Sequence, residues 1–431
     1  MVATAALPCH RLVLGVFIAS LSASSRNSTH FAAVTAHKLT ASSQLYARAS
    51  SSVGTAHTSY VAMGRYGGAF AGRPDDADTA PEAKAARARA LFPAGSLPPP
   101  QLLVPEGERD RCRFSFSRTT GALEYAEQGI VGPVSEKGHR LASRRVSAAL
   151  NAVVNALTPV LARNLRAAHV HAPRNGSTPV VAFMYEGPCG DESAWRRDAV
   201  TLRLAVSCSI IGRFKGLGLV EGNDFVRETL NLDDGRSLAY EFPEGSFCHP
   251  NGSANEKTVS WLCARASRIA LQLYCGNLLE LYCGAGNHTC ALAKYFDRVV
   301  AVEVDAKLVE AAQRNLKANN VTNATVVADA VGQRRGILQA VLKRRCWDGV
   351  AFDSILVDPP RRGLDDATLN ALAGFGNVLV VACNPEKLAQ DCDVLLKTHR
   401  IAAFAVVDGF PGTPHVEILA HFAGRDGAPA A

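Results

Sequence analysis

The chain has 431 residues, of which 48% are hydrophobic and 20% are charged, so it has the composition of a globular protein of two or three domains and not of a disordered or fibrous one. The formal net charge is +7, but residues 1–74 contain six basic residues and no Asp or Glu, which leaves 40 basic and 39 acidic residues elsewhere. Bulk charge therefore identifies no partner, and no apolar run after residue 25 reaches the roughly 18 to 20 residues of a membrane span.

The first 74 residues have the composition of an organelle targeting peptide, because they are rich in Ser, Ala, Thr and His, with scattered Arg. Leu12 to Ala23 adds a short apolar stretch typical of a secretory signal, and this combination suits a plastid reached through an outer membrane system. The alternatives are a mitochondrial presequence and a start codon wrongly assigned upstream of Met63. We expect an organellar protein, with a plastid favoured over a mitochondrion, and no membrane span in the mature chain.

The middle of the chain predicts a linker and a small domain. Residues 75–110 favour a short helix and a proline-rich linker. Residues 111–268 favour an N-terminal α+β domain that binds RNA or serves only in packing, with strands in RCRFSFSR, STPVVAFMYEG and LAVSCSIIGRFKG. Within this region, the apolar period of residues 143–168 predicts a helix that Pro159 bends or ends.

Residues 269–423 alternate predicted strands and helices, and residues 424–431 are expected to form a disordered tail. The strands are NLLELYCG, RVVAVEVD, ATVVADA, FDSILVDPP and GNVLVVACNP, and Lys307 to Ala318 is the clearest helix. This alternation predicts an α/β, doubly wound, Rossmann-like domain with a parallel sheet. Such domains bind ligands at the carboxyl ends of their strands.

The cysteines predict free thiols and no metal site. None of the twelve forms a C-x-x-C pair, and none has the spacing of a zinc or iron-sulfur site. Cys208, Cys263 and Cys275 lie in apolar stretches, which favours buried thiols in a reducing compartment over a disulfide framework.

A glycine loop follows the first strand of the Rossmann-like domain. Gly284 and Gly286 let the backbone approach a ligand, and Asn287 opens the next helix. Glu303 ends the second strand, 17 residues after Gly286, where a carboxylate can bind both ribose hydroxyls. The third glycine of the dinucleotide fingerprint is missing, which favours S-adenosylmethionine over a nicotinamide or flavin cofactor. The alternative is a tight turn followed by a glutamate that faces solvent.

Two further strands and the carboxyl-terminal segment supply candidate catalytic groups. The fourth strand ends in Asp358-Pro359-Pro360-Arg361, and the fifth ends in Cys383-Asn384-Pro385. Cys383 is a candidate nucleophile, although a buried structural thiol is the commoner role. A thiolate that adds to C6 of a pyrimidine makes C5 reactive, and a base must then remove the C5 proton. Glu417 is the candidate base, with its pKa expected to be raised by burial, and His415 is its rival.

These segments carry a family resemblance. LLELYCGAGN, VDPPRRGLD, VACNPEKLAQD and FPGTPHVE, in this order, resemble the RNA uracil-5-methyltransferases, specifically the bacterial-type tRNA (uracil-5-)-methyltransferases, over about residues 112–422. The resemblance implies C5-methylation of a uridine, in the T loop of tRNA, with S-adenosyl-L-methionine as cofactor. It implies that Cys383 is the nucleophile and Glu417 the base. It further implies that Arg361 holds the target base and that the cofactor contacts include Tyr282, Asn287, Glu303 and Asp358.

The departures from the family pattern define the alternatives. His249 stands in GSFCHPNG where the family usually has Gln. The resemblance implies a cofactor contact at this position, so we expect His249 to bind the cofactor. The iron-sulfur cysteine cluster of the ribosomal-RNA members is missing, which favours tRNA as the partner. Methylation of organellar ribosomal RNA and a catalytically silent RNA-binding protein of the same fold remain the alternatives. We expect a monomer without a metal.

Overall fold

A computed structural model of the chain describes most residues from 79 to 425, all of which belong to one compact unit, Gly67–Ala431. The predicted targeting peptide, Cys275 and the end of the predicted tail lie outside the described residues. The described ranges are 79–116, 123–127, 130–133, 139, 141–175, 177–273, 276–330, 341 and 345–425.

The first described segment packs against the carboxyl-terminal part of the chain. It forms helix α1 (Pro81–Ala90) and strand β1 (Gln101–Leu103). Ala85 and Ala88 of α1 lie in a hydrophobic core of the large sheet, and β1 is the edge strand of that sheet, parallel to its neighbour. The region predicted as a helix and a linker thus contains the expected helix, and it also contributes a strand that the sequence did not predict.

Seven strands then form a sheet in the order β4-β3-β2-β5-β6-β7-β8, with helices α2 to α4 between them. All neighbouring strands are antiparallel except β6 and β7. The elements are β2 (Arg111–Phe116), β3 (Leu123–Glu127), β4 (Ile130–Pro133), α2 (Arg144–Asn155), α3 (Pro159–Ala162), β5 (Leu165–His171), β6 (Val180–Tyr185), α4 (Glu192–Val206), β7 (Ser209–Phe214) and β8 (Leu217–Glu221).

The structure corrects the helix predicted over residues 143–168. Helix α2 ends at Asn155, and Pro159 begins the short helix α3 because a proline at the first helical position needs no backbone donor. Ala168 and Val170 are buried, whereas Ala167 and His169 are half-buried, so the end of the predicted helix is strand β5.

A hairpin and a long helix connect this sheet to an eight-stranded sheet. The hairpin consists of β9 (Phe225–Asn231) and β10 (Ser237–Pro243), and helix α5 (Gly252–Leu273) follows. The remaining elements are β11 (Asn277–Leu281), α6 (Asn287–Leu292), β12 (Arg298–Glu303), α7 (Ala306–Ala318), β13 (Ala324–Ala328), β14 (Cys346–Trp347), β15 (Val350–Ala351), β16 (Ser354–Val357), α8 (Asp366–Leu372), β17 (Asn377–Ala382), α9 (Pro385–Leu395), β18 (His399–Val407) and β19 (Glu417–Gly424).

The large sheet has the order β1-β18-β19-β17-β16-β11-β12-β13. It is parallel except for β19, which runs antiparallel to both of its neighbours. All five predicted strands are present, and the predicted doubly wound, Rossmann-like α/β fold is confirmed. Since β11 lies between β12 and β16, the strand order reverses there, which is where such sheets bind ligands.

Two further properties concern only the part of the chain that the structure describes. No helix in it combines the length and the hydrophobicity needed to cross a membrane. Its ten cysteines are all free thiols, and the predicted burial of Cys208 and Cys263 is confirmed.

Candidate active site

The predicted site residues meet at one edge of the large sheet. Parallel strands β11, β12, β16 and β17 end there. Strand β12 ends with Glu303, and the other three are followed by the glycine loop, Asp358 and Cys383 respectively. Strand β19 runs in the opposite direction, so its first residue, Glu417, lies at the same edge. Ala382 pairs with Ile418, which brings Glu417 beside Cys383.

The glycine loop contains several residues in left-handed backbone conformations. Gly284 and Gly286 have φ angles of 56° and 76°, and Tyr282 also adopts a left-handed conformation, with φ of 64°. A Cβ atom added to Gly284 would meet open space, whereas one on Gly286 would lie 3.2 Å from Cβ of Ala312. The loop is therefore open to a ligand at Gly284 and packed tightly on helix α7 at Gly286.

Glu303 is held firmly by backbone donors. One carboxylate oxygen accepts hydrogen bonds from the N–H groups of Val304 and Asp305, at 2.8 and 2.9 Å. The other accepts a bond of 3.0 Å from the N–H of Gly284. Because each oxygen can accept more than one bond, the carboxylate keeps capacity for ribose hydroxyls while its orientation is fixed. The loop and Glu303 thus fit the cofactor contacts that the resemblance implies.

Asn287 and Asp358 have partners that the sequence analysis missed. Asn287 forms two reciprocal amide hydrogen bonds with Asn255 of helix α5, at 2.7 and 3.0 Å. His288 Nε2 lies 3.3 Å from a carboxylate oxygen of Asp358. Burial lowers the pKa of His288, but the carboxylate of Asp358 outweighs it and the net pKa is raised. The pKa of Asp358 is also raised, since its burial outweighs the attraction of His288.

Cys383 is a half-buried thiol that follows strand β17. Burial raises its pKa to about 11, and the carboxylates of Glu417 and Asp358 act in the same direction. Arg361, whose side chain is exposed, opposes them because its positive charge favours the thiolate. The side chain of Asn384 donates a 3.0 Å hydrogen bond to the carbonyl oxygen of Arg361 and so joins the two loops.

Glu417 is buried and paired with His249. His249 Nε2 lies 3.3 Å from Oε2 of Glu417. Burial raises the pKa of Glu417, but the charge and hydrogen bond of His249, followed by His288 and Thr258, together outweigh burial, and the net pKa is lowered. The expectation of a raised pKa is therefore wrong. The signal that could have corrected it is His249, a titratable residue in a segment already assigned to the site.

His415 lies on the loop before Glu417 in a different environment. Burial lowers its pKa to about 4, and the positive charge of Arg361 adds to that shift. Its ring packs edge-on against Phe410, with ring centroids 6.4 Å apart. His415 is therefore a neutral imidazole at physiological pH, whereas Glu417 is an ionised carboxylate adjacent to Cys383.

No group of three or more His, Cys, Asp or Glu side chains is arranged to hold a metal ion within the described ranges. The polar groups gathered here instead pair with one another, as in His249 with Glu417 and His288 with Asp358. A thiol, an ionised carboxylate and an open glycine loop at one edge can support nucleophilic addition, proton removal and binding of a nucleoside.

Comparison with known proteins identifies bacterial relatives. A family model described as tRNA (Uracil-5-)-methyltransferase matches residues 108–422. A protein named tRNA/tmRNA (uracil-C(5))-methyltransferase from Azoarcus sp. (strain BH72) is 35% identical over 357 residues, which cover 80% of this chain and 95% of that protein. A protein of the same name from Sulfurovum sp. (strain NBC37-1) is 31% identical over 318 residues, which cover 72% of this chain and 81% of that protein.

A solved structure shares the fold. The Pyrococcus abyssi tRNA (uracil-54, C5)-methyltransferase, in complex with S-adenosyl-L-homocysteine, matches with a TM-score of 0.58 and 21% identity over 80% of this chain and 82% of that one. The family match confirms the predicted enzyme class, and it supports S-adenosyl-L-methionine as the cofactor. With a family model that spans most of the described residues, the chain belongs to the tRNA (uracil-5-)-methyltransferase family.

Proposed function

We propose that the protein methylates C5 of a uridine in the T loop of tRNA through a covalent adduct with Cys383. The observation that carries this proposal is the proximity of Cys383 to Glu417 at the sheet edge that also bears the glycine loop and Glu303. The relatives are named for uracil C5 in tRNA, and the Pyrococcus abyssi enzyme is named for uracil 54 of tRNA. These names support the choice of substrate.

Cys383 begins the proposed reaction by adding to C6 of the uracil ring. The Sγ–C6 bond forms, the C5–C6 π electrons move towards O4, and the thiol proton passes to O4, which leaves an enol with a nucleophilic C5. Because the pKa of the thiol is about 11, the sulfur carries its proton at neutral pH and this transfer has to accompany addition. Arg361 assists, since its charge favours the thiolate.

Glu417 completes the proposed reaction as the general base. The glycine loop and Glu303 would hold S-adenosyl-L-methionine, which would supply the methyl group to C5 while the O4 proton is released to water. Glu417 then takes the remaining C5 proton, the C5–C6 double bond re-forms, and the Sγ–C6 bond breaks. The proton on Glu417 returns to the departing sulfur, so one proton is released for each methyl group transferred.

The experiment uses a T-arm hairpin RNA and S-adenosyl-L-methionine with a labelled methyl group. We expect 5-methyluridine at the T-loop position and no label in a matched hairpin that has cytidine there. Methylation of organellar ribosomal RNA fragments but not of the hairpin would instead identify a ribosomal substrate. RNA binding without methylation of either RNA would identify a catalytically silent protein. Loss of 5-methyluridine from organellar tRNA in cells lacking the protein would extend the result to the cell.

We propose an organellar location as well, with a plastid favoured over a mitochondrion. The support is the acid-free composition of residues 1–74, whose charges are all positive. A fluorescent protein fused behind these residues is expected to enter plastids, whereas a matched fusion with its Arg and Lys replaced by Glu is expected to stay outside. Fluorescence of the unmodified fusion in mitochondria would choose that organelle, and fluorescence in the cytosol would contradict the proposal.

A further inference from the structure

His249 is bound on both sides of its ring. It lies in the loop between β10 and α5, where Nδ1 is 2.8 Å from the carbonyl oxygen of Asn251. Nε2 is 3.3 Å from Oε2 of Glu417, and the ring packs near Phe410, with centroids 6.3 Å apart. The side chains of His249 and Glu417 are only 12% and 9% exposed, so water does not replace these contacts.

The contacts of the ring indicate where the protons of the pair lie. Nδ1 is 2.8 Å from the carbonyl oxygen of Asn251 and 3.2 Å from its backbone nitrogen, and the shorter contact, to an oxygen that can only accept, favours a proton on Nδ1. If His249 were neutral, its Nε2 lone pair would then face the carboxylate of Glu417. A second proton between Nε2 and Oε2 removes this repulsion, and the pair becomes an imidazolium bonded to a carboxylate.

We propose that His249 is a positioning residue for the base: its Nε2–H holds Oε2 of Glu417 and leaves Oε1 to take the proton from C5 of the uridine. The inference rests on the proposed function, because it assigns His249 to the second half of that reaction. It differs from the cofactor contact that the family resemblance implies for this position.

The surrounding charges support this role. The charged or titratable groups that act on His249 and its partner come from several elements: Glu417, Asp358, Glu228 and His288. Asp358 already has His288 as its partner, so His249 is the cation that directly compensates the buried Glu417. Burial lowers the pKa of His249, but Glu417, the backbone hydrogen bond with Asn251 and the charge of Asp358 together outweigh that effect and the net pKa is raised.

The sign of the pH dependence follows from this pairing. Below the raised pKa of His249 the imidazolium holds the carboxylate, and as the pH rises through that pKa the hold is lost. Below the lowered pKa of Glu417 the base is protonated and inactive. The rate at which the methylated adduct resolves is therefore expected to fall at both low and high pH. We assign the fall at high pH, the basic limb of the pH profile, to deprotonation of His249.

The test separates adduct formation from adduct resolution in single turnovers with the T-arm hairpin. His249→Gln keeps a hydrogen-bond donor, loses the charge and restores the residue usual in the family. We expect it to slow resolution by roughly ten- to a hundredfold, less than the roughly 10²- to 10⁴-fold loss from removing a base. The basic limb should disappear, adduct should accumulate, and the Kd for S-adenosyl-L-methionine should stay within about twofold.

His421→Gln is the matched control. His421 lies on the same strand as Glu417 but bonds to Asn377, and burial lowers its pKa to about 4, so this change removes no charge at neutral pH. We expect a wild-type profile from it. Because Glu228 has a pKa raised to about 7 by burial, Glu228→Gln identifies any contribution of Glu228 to the same limb.

Two results with His249→Gln would overturn the inference. The first is a resolution rate and a pH dependence equal to those of the unmodified protein. The second is weaker binding of the cofactor with the basic limb intact, which would make His249 a cofactor contact. The unmodified protein provides a second measurement, since a resolution rate with no decline on the basic side contradicts the inference without any variant. Failure of the proposed function is distinct, because the unmodified protein would then form no adduct at all.

Discussion

The ammonium group of Lys84 lies 2.6 Å from a carboxylate oxygen of Asp408, and both side chains are buried although 324 residues separate them. The same ammonium donates a 3.0 Å hydrogen bond to the carbonyl oxygen of Phe410. Asp408 and Phe410 both lie in the loop between β18 and β19 that leads to Glu417. Helix α1 is thus fastened to the segment that carries the candidate base.

Lys84→Met is expected to destabilise the protein by about 3–5 kcal/mol, because it leaves the buried carboxylate of Asp408 without its cation. The free energy of unfolding, measured by chemical denaturation, checks this. Arg89→Met, on the exposed side of the same helix, is the control and should change that free energy by less than about 0.5 kcal/mol. If both substitutions changed the free energy of unfolding equally, the Lys84–Asp408 ion pair would make no specific contribution to stability.

Cys383→Ser should abolish methylation while cofactor and RNA binding persist, because a hydroxyl ionises far less readily than a thiol. RNA with 5-fluorouridine at the target position provides the measurement, since its fluorine cannot leave as a proton. The unmodified protein should form an adduct that survives denaturing electrophoresis, and the variant should form none. Cys392→Ser, a buried thiol on helix α9, should still form the adduct. Turnover by Cys383→Ser in single-turnover assays would remove Cys383 from its role.

Glu417→Gln should spare methyl transfer and block proton removal, so a methylated, covalent protein–RNA complex should accumulate. His415→Ala should release its product, because the pKa of His415 is lowered to about 4 and the ring is a weak base. Denaturing electrophoresis with labelled methyl groups distinguishes the two outcomes. The opposite pattern, with the complex trapped only in His415→Ala, would assign the base to His415.

Glu303→Ala should weaken binding of S-adenosyl-L-methionine by about 1–3 kcal/mol, roughly five- to 150-fold in Kd, since hydrogen bonds to the ribose are lost. Glu303→Gln keeps one acceptor oxygen and should have a smaller effect. Calorimetry measures both. An unchanged Kd in Glu303→Ala would mean that Glu303 only anchors the glycine loop, through its contact with the N–H of Gly284.

The parts of the site that follow local chain patterns could be predicted from the sequence. Glu303 ends an apolar strand and Cys383 directly follows one, and parallel strands bring their carboxyl ends to one edge. The pKa direction of Glu417 was missed, because it depends on contact with His249, which is 168 residues away in the sequence. The pairs Lys84–Asp408 and His288–Asp358 were missed for the same reason. Such contacts depend on the tertiary fold and leave no periodic pattern in the sequence.

Strand β1 protects the large sheet from pairing with another chain. It shields one side of β18, a nine-residue and largely buried strand that would otherwise be the edge of the large sheet. An uncovered edge of this kind is a template on which a second chain can add a strand and begin to aggregate. The expected targeting peptide, residues 1–74, ends before α1 and β1, so its removal would leave this edge covered. A chain trimmed to residue 108, where the family match begins, is expected to self-associate.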